Sequence, residues 1–399
     1  MNKVAVIIPV LNEWEYTFAC LRSLRENTCR EDVQVIVVDN GSSDKTPELC
    51  AGVGKELFGS RFEYIRLQEN MNFGPACNLG ASHAQSEFLF FLNNDTKCTP
   101  GWLEPLLNAF NAKTGAVGPL LLYPDSDLVQ HLGISFTPTD NLIHLYHCIP
   151  AVSPLARKQR KVQALTAAAL LIPADIFRSC GGFYAEYKNG YEDIDLCLGL
   201  GREGYELKCV PQSRIYHYTS MSAGRFDHHS DNSKVFTRRS ASLIRADTHV
   251  HAERDGLEIF FSDFLQVCYR LPGDKSRELE NWGETAKPGE LLNCLDRYPY
   301  WEKGYALARE IYKRDPEEAF YILSRQSLYF PLKPVYGRLL KVARQLGREE
   351  TASFCRRELR KMEGYAGSRE YLKRIKAIRN WAQKQNDARL MRLYRAMRP

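Results

Sequence analysis

The stretch "EFLFFLNNDT" (residues 87–96) runs from an apolar segment straight into Asn93, Asn94 and Asp95. Short apolar runs rich in aromatic residues are typical of buried strands. A local turn explains three polar residues after a strand, because Asn and Asp side chains hydrogen-bond to the nearby backbone. The rest of the chain favours a functional explanation, since other strands end in the same way.

Two earlier apolar runs also end in polar residues, "VAVIIPVLNE" (4–13) and "VQVIVVDNGSSDKT" (33–46). Segments with helical spacing follow both, and Thr46 is predicted to cap the second helix, with Pro47 as its first residue. Strands that are apolar throughout and alternate with helices predict a parallel sheet covered by helices on both faces. Ligands bind such sheets beyond the carboxyl ends of the strands, so we expect these polar residues to meet at one edge.

The composition, with 44% hydrophobic and 26% charged residues in a chain of 399, is that of a soluble globular protein with two or three domains. The first residues lack the apolar region of a signal peptide, and no window approaches the roughly 20 apolar residues that cross a bilayer. The 12 cysteines include no C-x-x-C pair and are expected to be reduced thiols. We therefore expect a cytoplasmic protein.

The domain organisation follows from the change in pattern along the chain. We predict an α/β domain over residues 1–250 and an all-α helical domain over residues 257–399, with a polar, mobile segment (219–256) that leads into a helix around residues 234–246. Residues 299–347 contain two imperfect copies of a segment of about 32 residues, a period similar to that of tetratricopeptide hairpins. Ordinary antiparallel helices are the alternative.

The order of the motifs resembles the inverting family-2 glycosyltransferases of the GT-A fold, and within them the rhamnosyltransferase-like bacterial branch. The similarity covers roughly residues 4–245 and rests on "VIIPVLNE", "VVDNGSSD", "NMNFGPACNLG", "FLNNDT" and "GYEDIDLCL". It implies a Rossmann-like, mostly parallel sheet flanked by helices. It also implies transfer of a sugar, with inversion, from a UDP- or dTDP-sugar to a hydroxyl of a glycan, lipid-linked or protein acceptor in bacterial surface polysaccharide or glycoconjugate synthesis.

The resemblance places the donor nucleotide at the ends of the first two strands. The carboxylate of Asp39 can accept a hydrogen bond from the N3–H of uracil or thymine, and Pro9, Leu11 and Glu13 would line the same pocket. The alternative for Asp39 is a turn cap, because "DNGSSD" is rich in capping residues.

Asn93, Asn94 and Asp95 resemble the divalent-metal motif of the family, which is usually written D-x-D. Hard cations prefer oxygen ligands and offset the charge that develops on a leaving diphosphate. Since Asn93 replaces the first Asp, Asp95 is the only charged ligand in the motif. His217 occupies a position where relatives often supply another ligand, so we expect Mn²⁺ or Mg²⁺ on Asp95 and His217. A structural, hydrogen-bonded role is the alternative for His217.

The segment "NFGPACNLG" (72–80) contains Gly74, Asn78 and Gly80 at the predicted start of a helix. Exposed amides at a helix start suit a phosphate or a ribose. Tight packing is an equal alternative for the two glycines, whereas Asn78 is expected to contact the ligand.

The segment "NGYEDIDLCL" (189–198) places Glu192 and Asp193 in the predicted first turn of a helix, where ionised acids are stabilised. Such a carboxylate can take the proton of an acceptor hydroxyl as the hydroxyl attacks the anomeric carbon. The resemblance implies that Asp193 is this base and that Glu192 positions it or the acceptor. Asp195 is predicted to be structural, either as a cap or in an ion pair.

Three further features of the chain have weaker explanations. Gly199 and Gly201 stand where relatives often carry Arg, and close packing is one explanation for them. Arg238 and Arg239 are predicted to be surface residues, with a contact to the diphosphate as the alternative. The adjacent His228 and His229 are not predicted to bind metal.

The C-terminal residues 356–399 carry 14 Lys and Arg against 4 Asp and Glu, which leaves residues 1–355 with a net charge of −4. Residues 369–398 have apolar side chains near helical spacing between basic ones, a pattern typical of helices that contact anionic membranes. Packing on the helical domain and a homodimer contact are the alternatives. No nucleic-acid-binding motif accompanies the basic residues, so nucleic acid is not expected as a partner.

Two other function classes compete with sugar transfer. Sugar-1-phosphate nucleotidyl transfer predicts a Gly-rich N-terminal loop with Arg and Lys, which "PVLNEWEY" lacks. A catalytically degenerate domain that acts as a protein-binding scaffold is favoured by Asn93 and by the helix glycines. The intact Asp39, Asp95 and Glu192 argue against that scaffold.

Overall fold

The computed structural model describes residues 2–28, 30–137, 142–218, 228–283, 288–302, 304–385, 388 and 391. The chain divides into two compact units, of which the first comprises residues 1–135, 144–147 and 156–245. The second comprises residues 136–143, 148–155 and 246–399. The domain limits proposed from the sequence, 1–250 and 257–399, stay a prediction.

The strands up to residue 217 are β1 (Asn2–Val10), β2 (Val33–Asp39), β3 (Phe62–Arg66), β4 (Ser86–Leu92), β5 (Thr96–Cys98), β6 (Thr114–Leu122), β7 (Val129–His131), β8 (Ile134–Phe136), β9 (Leu142–His144), β10 (Arg160–Val162), β11 (Ala169–Pro173) and β12 (Glu206–His217). The helices of the first unit are α1 (Trp14–Asn27), α2 (Thr46–Phe58), α3 (Phe73–His83), α4 (Leu103–Leu107), α5 (Ala174–Ser179), α6 (Glu192–Arg202) and α7 (His229–Arg239).

The main sheet of the first unit has the strand order β10-β12-β6-β11-β4-β1-β2-β3, with β5 added beside β12 and β7 beside β6. The strands β4, β1, β2 and β3 are parallel, as the sequence predicts, and β6 is parallel to β12. The sheet is mixed, however, because β11 is antiparallel to both β4 and β6. The predicted α/β fold with a sheet flanked by helices is confirmed.

The strand register brings the polar ends together. Val10 pairs with Asp39, and Ile7 pairs with Phe91, so β1, β2 and β4 end at the same edge of the sheet. Residues 4–8 are fully buried, because helices cover both faces of these central strands. The residues that follow each strand are therefore the first ones that solvent or a ligand can reach.

Helix α2 differs in detail from the prediction that Thr46 caps it. Thr46 is the first helical residue, and its backbone N–H donates to the Asp44 side chain over 2.9 Å. The other carboxylate oxygen of Asp44 accepts a hydrogen bond from the N–H of Trp14, the first residue of α1, over 2.9 Å. One side chain thus stabilises the starts of two helices, a link that a local capping pattern does not reveal.

The second unit contains the helices α8 (Thr248–Arg254), α9 (Gly273–Gly283), α10 (Pro288–Arg297), α11 (Gly304–Ile311), α12 (Pro316–Tyr329), α13 (Lys333–Gln345), α14 (Glu349–Tyr365) and α15 (Arg369–Gln385). A hairpin of β13 (Glu258–Phe261) and β14 (Val267–Arg270) precedes α9, so the expectation of helix from residue 257 onward holds only after the hairpin. Helices α11 to α14 pack in succession on a shared core. No helix in the described parts of the chain is long and apolar enough to cross a membrane.

The basic helix α15 uses its apolar face within the second unit. Ile375 and Ile378 are each 3% exposed and pack in a cluster with Leu265. This is the internal packing that the sequence left as an alternative to membrane contact, and the side chain of Trp381 lies outside the described residues. Because the apolar stripe is already buried, membrane contact through α15 is not proposed.

The segment predicted as polar and mobile is only partly described, since residues 219–227 lie outside the described residues. Its helix begins at His229 and ends at Arg239, five residues earlier at its start than the predicted helix around 234–246. This helix buries Asn232, Val235 and Phe236, so the polar segment has one face that packs against the rest of the unit.

Replacement by alanine is expected to have opposite effects on stability at two helix glycines. A Cβ at Gly80 in α3 would lie 2.6 Å from Cγ2 of Ile7 in the sheet, whereas a Cβ at Gly199 in α6 would meet nothing within 4 Å. Gly80→Ala is therefore expected to destabilise the protein by about 1–3 kcal/mol through overpacking. Gly199→Ala, the matched control, is expected to stabilise it by up to about 1 kcal/mol. Thermal unfolding of the two variants measures both effects.

Equal shifts of the unfolding temperature in the same direction in Gly80→Ala and Gly199→Ala would contradict the close packing of Gly80 against Ile7. The close-packing explanation of Gly199 and Gly201 is wrong, because both positions face open space.

Candidate active site

The loops after β1 and β2 are joined by hydrogen bonds through Asn12. Its N–H donates to Oγ of Ser42 over 2.7 Å, and its side-chain oxygen accepts from the N–H of Ser43 over 2.8 Å. Asn12 and Glu13 both have φ of 60°, a left-handed conformation that is uncommon for residues with a side chain. Such conformations concentrate at functional sites, where surrounding contacts hold them.

Asp39 is fully buried and has partners on both carboxylate oxygens. Oδ1 accepts from the N–H of Ser42 over 2.8 Å, which is the turn-capping role that the sequence left open, and Oδ2 accepts from the hydroxyl of Tyr64 over 2.5 Å. Burial and the neighbouring Asp39 raise the pKa of Tyr64 above its ordinary value, so this hydroxyl stays a donor. Each carboxylate oxygen can accept more than one hydrogen bond, so the capacity for a ligand N–H remains.

Sequence reasoning missed Tyr64. The signal that identifies it is the parallel register of β2 and β3, which places Tyr64 opposite Val37, two residues before Asp39. Beside this pair, Pro9 and Leu11 are half-buried and Glu13 is exposed. The predicted donor residues therefore lie along one edge, but Asp39 itself does not face solvent in this conformation.

Gly74 and Asn78 in α3 both pack against the segment that contains Phe183. A Cβ at Gly74 would lie 3.2 Å from Cβ of Phe183. The amide of Asn78 donates to the carbonyl of Phe183 over 2.7 Å and accepts from its N–H over 2.9 Å. This two-point contact gives Asn78 a positioning role and uses both ends of its amide, so a ligand contact is not proposed for Asn78.

The predicted metal residues Asp95 and His217 lie together at the ends of β4 and β12. Oδ1 of Asp95 is 3.2 Å from Nε2 of His217, and both side chains are buried. Nδ2 of Asn93 lies 3.3 Å from the same His217 nitrogen. Asn94 instead points toward α1, where its amide donates to the hydroxyl of Thr17 over 3.0 Å.

Gln130 of β7 fixes the orientation of the His217 ring. Its Nε2 donates to the backbone carbonyl of His217 over 2.7 Å, which leaves its Oε1 to accept from Nδ1 of the ring over 2.6 Å. Nδ1 therefore carries a proton, and Nε2 is the nitrogen directed at Asp95. A supporting hydrogen bond of this kind is typical of metal-binding histidines.

The pair fits an octahedral cation. Ligands of Mg²⁺ lie at about 2.0–2.1 Å, so two adjacent ligands are about 3 Å apart, close to the observed 3.2 Å between Asp95 and His217. In the described residues, no group of three or more His, Cys, Asp or Glu side chains is arranged to hold a metal ion. A cation at Asp95 and His217 would thus need further ligands beyond these two side chains.

The predicted base region begins α6. Asp193 is half-buried, and its carboxylate accepts from the N–H of Ile194 over 2.9 Å and from the N–H of Ala167 over 3.0 Å. Glu192 is buried and accepts from the N–H of Gly190 over 2.6 Å. Both carboxylates are thus held by backbone N–H groups at the start of a helix, a location that favours negative charge.

Residues 167 and 168 connect the metal motif to the base. The carbonyl of Ala168 accepts from the N–H of Asn93 over 3.0 Å, while the N–H of Ala167 donates to Asp193. The partner of Asn93 and the partner of Asp193 are therefore adjacent residues. Asp193 therefore lies next to the segment Asn93–Asp95, although about 100 positions separate the two in the chain.

Asp195 and Arg239 contact each other beside the predicted base region. Asp195 forms an ion pair with Arg239 over 3.1 Å, as the predicted structural role requires. The guanidinium of Arg239 also lies 3.6 Å from the ring centre of Tyr184. Arg238 is exposed, and His229 contacts the ring of Tyr191 at 5.6 Å between centroids.

Comparison with known proteins finds similarity to one family over the first part of the chain. The sequence model described as glycosyl transferase family 2 matches residues 5–161. The O-antigen biosynthesis protein RfbC of Myxococcus xanthus is 29% identical over 227 residues, which are 55% of this chain and 18% of that protein. An N-acetylglucosaminyl-diphospho-decaprenol L-rhamnosyltransferase of Mycobacterium tuberculosis is 27% identical over 223 residues, 48% of this chain and 69% of that protein.

The chain thus spans less than a fifth of the length of RfbC. Among solved structures, GalNAc-T7 with UDP, GalNAc and Mn²⁺ is 16% identical with a TM-score of 0.48, covering 58% of this chain and 48% of that one. The sequence match confirms the resemblance drawn from the motifs, because residues 5–161 of this chain match the model of glycosyl transferase family 2.

Proposed function

We propose that the protein is a metal-dependent inverting glycosyltransferase that moves a sugar from a UDP- or dTDP-sugar to a hydroxyl group. The acceptor is a glycan, lipid-linked or protein molecule in bacterial surface polysaccharide or glycoconjugate synthesis. The observation that carries the proposal is the backbone link through Ala167 and Ala168, which joins the base candidate Asp193 to the metal motif. The family match and the names of the bacterial relatives support the reaction class.

The proposed reaction is a single displacement. The acceptor hydroxyl attacks the anomeric carbon while its proton moves to a carboxylate oxygen of Asp193, and the bond from that carbon to the diphosphate oxygen breaks. The nucleoside diphosphate leaves with the bonding electron pair. Because attack and departure occur on opposite faces, the configuration inverts. Glu192 would hold the turn at Gly190 that sets the position of Asp193.

Asp95 and His217 would hold Mn²⁺ or Mg²⁺, and Gln130 would orient the His217 ring. When bound, the cation would offset negative charge on the leaving diphosphate, and oxygens of the diphosphate would serve as its further ligands. Asn93 contributes no charge, so this chain would rely on the diphosphate more than a site with two aspartates does.

The donor base would bind at the edge formed by Pro9, Leu11 and Glu13, with Asp39 accepting the N3–H of uracil or thymine. Since Asp39 is buried here and bonded to Ser42 and Tyr64, this contact requires the loop to open when the donor binds. A nucleotide-sugar donor also implies a cytoplasmic location, which is part of the proposal.

Release of nucleoside diphosphate from a panel of UDP-, dTDP- and GDP-sugars tests the proposed function. We expect release from one UDP- or dTDP-sugar with Mn²⁺ or Mg²⁺, loss of that release in EDTA, and loss in Asp95→Ala. Water replaces the acceptor in this assay, so the acceptor need not be known. No release from any donor, together with no donor binding by calorimetry, would contradict the transferase and favour a protein-binding scaffold.

The role of Asp193 has a matched control in Asp175. Both residues lie in the first turn of a helix and accept the N–H of the next residue over 2.9 Å, but Asp175 is exposed on α5. We expect Asp193→Asn to lower the turnover rate by about 10²- to 10⁴-fold with little change in donor affinity, since the amide cannot take the proton. Asp175→Asn should leave both quantities unchanged. Equal rates in the two variants would exclude Asp193 as the base.

The supporting role of Gln130 has a control in Gln163, which also contacts a backbone at two points, the N–H and carbonyl of Arg245 over 3.0 and 2.6 Å. We expect Gln130→Leu to weaken Mn²⁺ binding by about 10- to 100-fold, because the His217 ring loses its orienting bond. Gln163→Leu should not. Electron paramagnetic resonance of free Mn²⁺ in the presence of UDP measures the affinity, and an unchanged affinity in Gln130→Leu would remove His217 from the metal site.

A further inference from the structure

We infer that α7 is a clamp for the catalytic carboxylate and that Asn232 is a positioning residue for Asp193. This inference rests on the proposed function, because it concerns how the proposed base is held. It assigns a role to a helix that contributes none of the predicted donor, metal or base residues.

The first contact of the clamp lies just before the base helix. The side chain of Asn232 is 3% exposed. Its oxygen accepts from the N–H of Lys188 over 2.9 Å, and its amide donates to the carbonyl of Lys188 over 2.9 Å. A buried amide that pairs with both backbone groups of one residue fixes that residue in position and orientation, because either bond alone would permit rotation.

Two further contacts follow along α7. The ring of Phe236 packs on the ring of Tyr191 with centroids 5.0 Å apart. At the end of the helix, Arg239 pairs with Asp195 over 3.1 Å, and the hydroxyl of the adjacent Ser240 donates to the same carboxylate. The contacts to residues 188, 191 and 195 therefore lie on both sides of Asp193.

The clamped segment needs such support because its backbone is unusual. Asn189, Gly190 and Tyr191 have φ of 55°, 151° and 76°. Left-handed conformations are unfavourable for residues with a Cβ, and a run of three persists only when surrounding contacts hold it. The side chain of Asn189 accepts the N–H of Phe73 over 2.8 Å, so the start of α3 also holds the segment.

The contacts of α7 should therefore affect the chemical step and not the binding of the donor. The contacts of α7 reach the segment before α6 and the first turn of α6. The predicted donor residues lie elsewhere, since Glu13 follows β1 and Asp39 is the last residue of β2. Loss of the Asn232 contacts should therefore displace Asp193 relative to the anomeric carbon while donor binding continues. Displacement of a catalytic group by about 1 Å can lower a rate by about 100-fold.

The test compares Asn232→Ala with Lys234→Ala, an exposed position on the same helix. Alanine is a better helix former than asparagine, so Asn232→Ala removes the clamp contacts without weakening the helix itself. Donor turnover and nucleotide affinity are measured for both variants and for the wild type. Hydrogen exchange of residues 187–191 measures the clamp independently of activity.

We expect Asn232→Ala to lower the turnover rate by about 10- to 100-fold, with nucleotide affinity within about twofold of the wild type and faster exchange of residues 187–191. Lys234→Ala should match the wild type in all three. Phe236→Leu, which removes the ring contact at a second point, should reproduce the pattern of Asn232→Ala in weaker form.

Turnover that stays within twofold of the wild type in Asn232→Ala would overturn the inference, whatever the exchange rate. Parallel loss of turnover and nucleotide affinity in both Asn232→Ala and Phe236→Leu would also overturn it, because α7 would then support the whole unit. A wild-type protein that turns over no donor would instead contradict the proposed function, while the exchange of residues 187–191 would still report whether Asn232 holds the segment.

Discussion

The candidate site depends on the antiparallel pairing of β11 with β4. Leu92, at the end of β4, pairs with Ala169, at the start of β11. The residues just before β11 therefore lie next to the residues just after β4. Through this pairing the N–H of Asn93 reaches the carbonyl of Ala168, and Asp193 reaches the N–H of Ala167. If β11 were another parallel strand, its first residues would lie at the opposite edge of the sheet.

The sequence predicts the parallel part of the sheet well because its signals are local. Each apolar run is buried over its length, and each ends where polar residues begin, so the strand ends at Val10, Asp39 and Leu92 follow from the pattern. The register then places these ends at one edge without further information. Of the candidate site, the pairing of Asp95 with His217 was accessible only through the family resemblance, since 122 positions separate them.

The remaining parts of the site depend on contacts between distant segments that no local pattern encodes. Gln130 is a single glutamine in a three-residue strand, and only the folded sheet places it beside His217. Tyr64 becomes a partner of Asp39 through the register of β3. Asn78 illustrates the reverse case, because a polar residue in a phosphate-binding pattern has its amide bonded to the backbone of Phe183. The hairpin over residues 258–270 was missed because its strands are only four residues long.

The proposed reaction is a single displacement at the anomeric carbon, and the anomeric configuration of the product distinguishes it from other routes. With methanol supplied as a simple acceptor, the methyl glycoside cannot interconvert between anomers, and proton NMR reads its configuration. A single displacement gives a methyl glycoside of configuration opposite to that of the donor. A product with the configuration of the donor would show two displacements or front-face attack, and would contradict the assignment of a single base to Asp193.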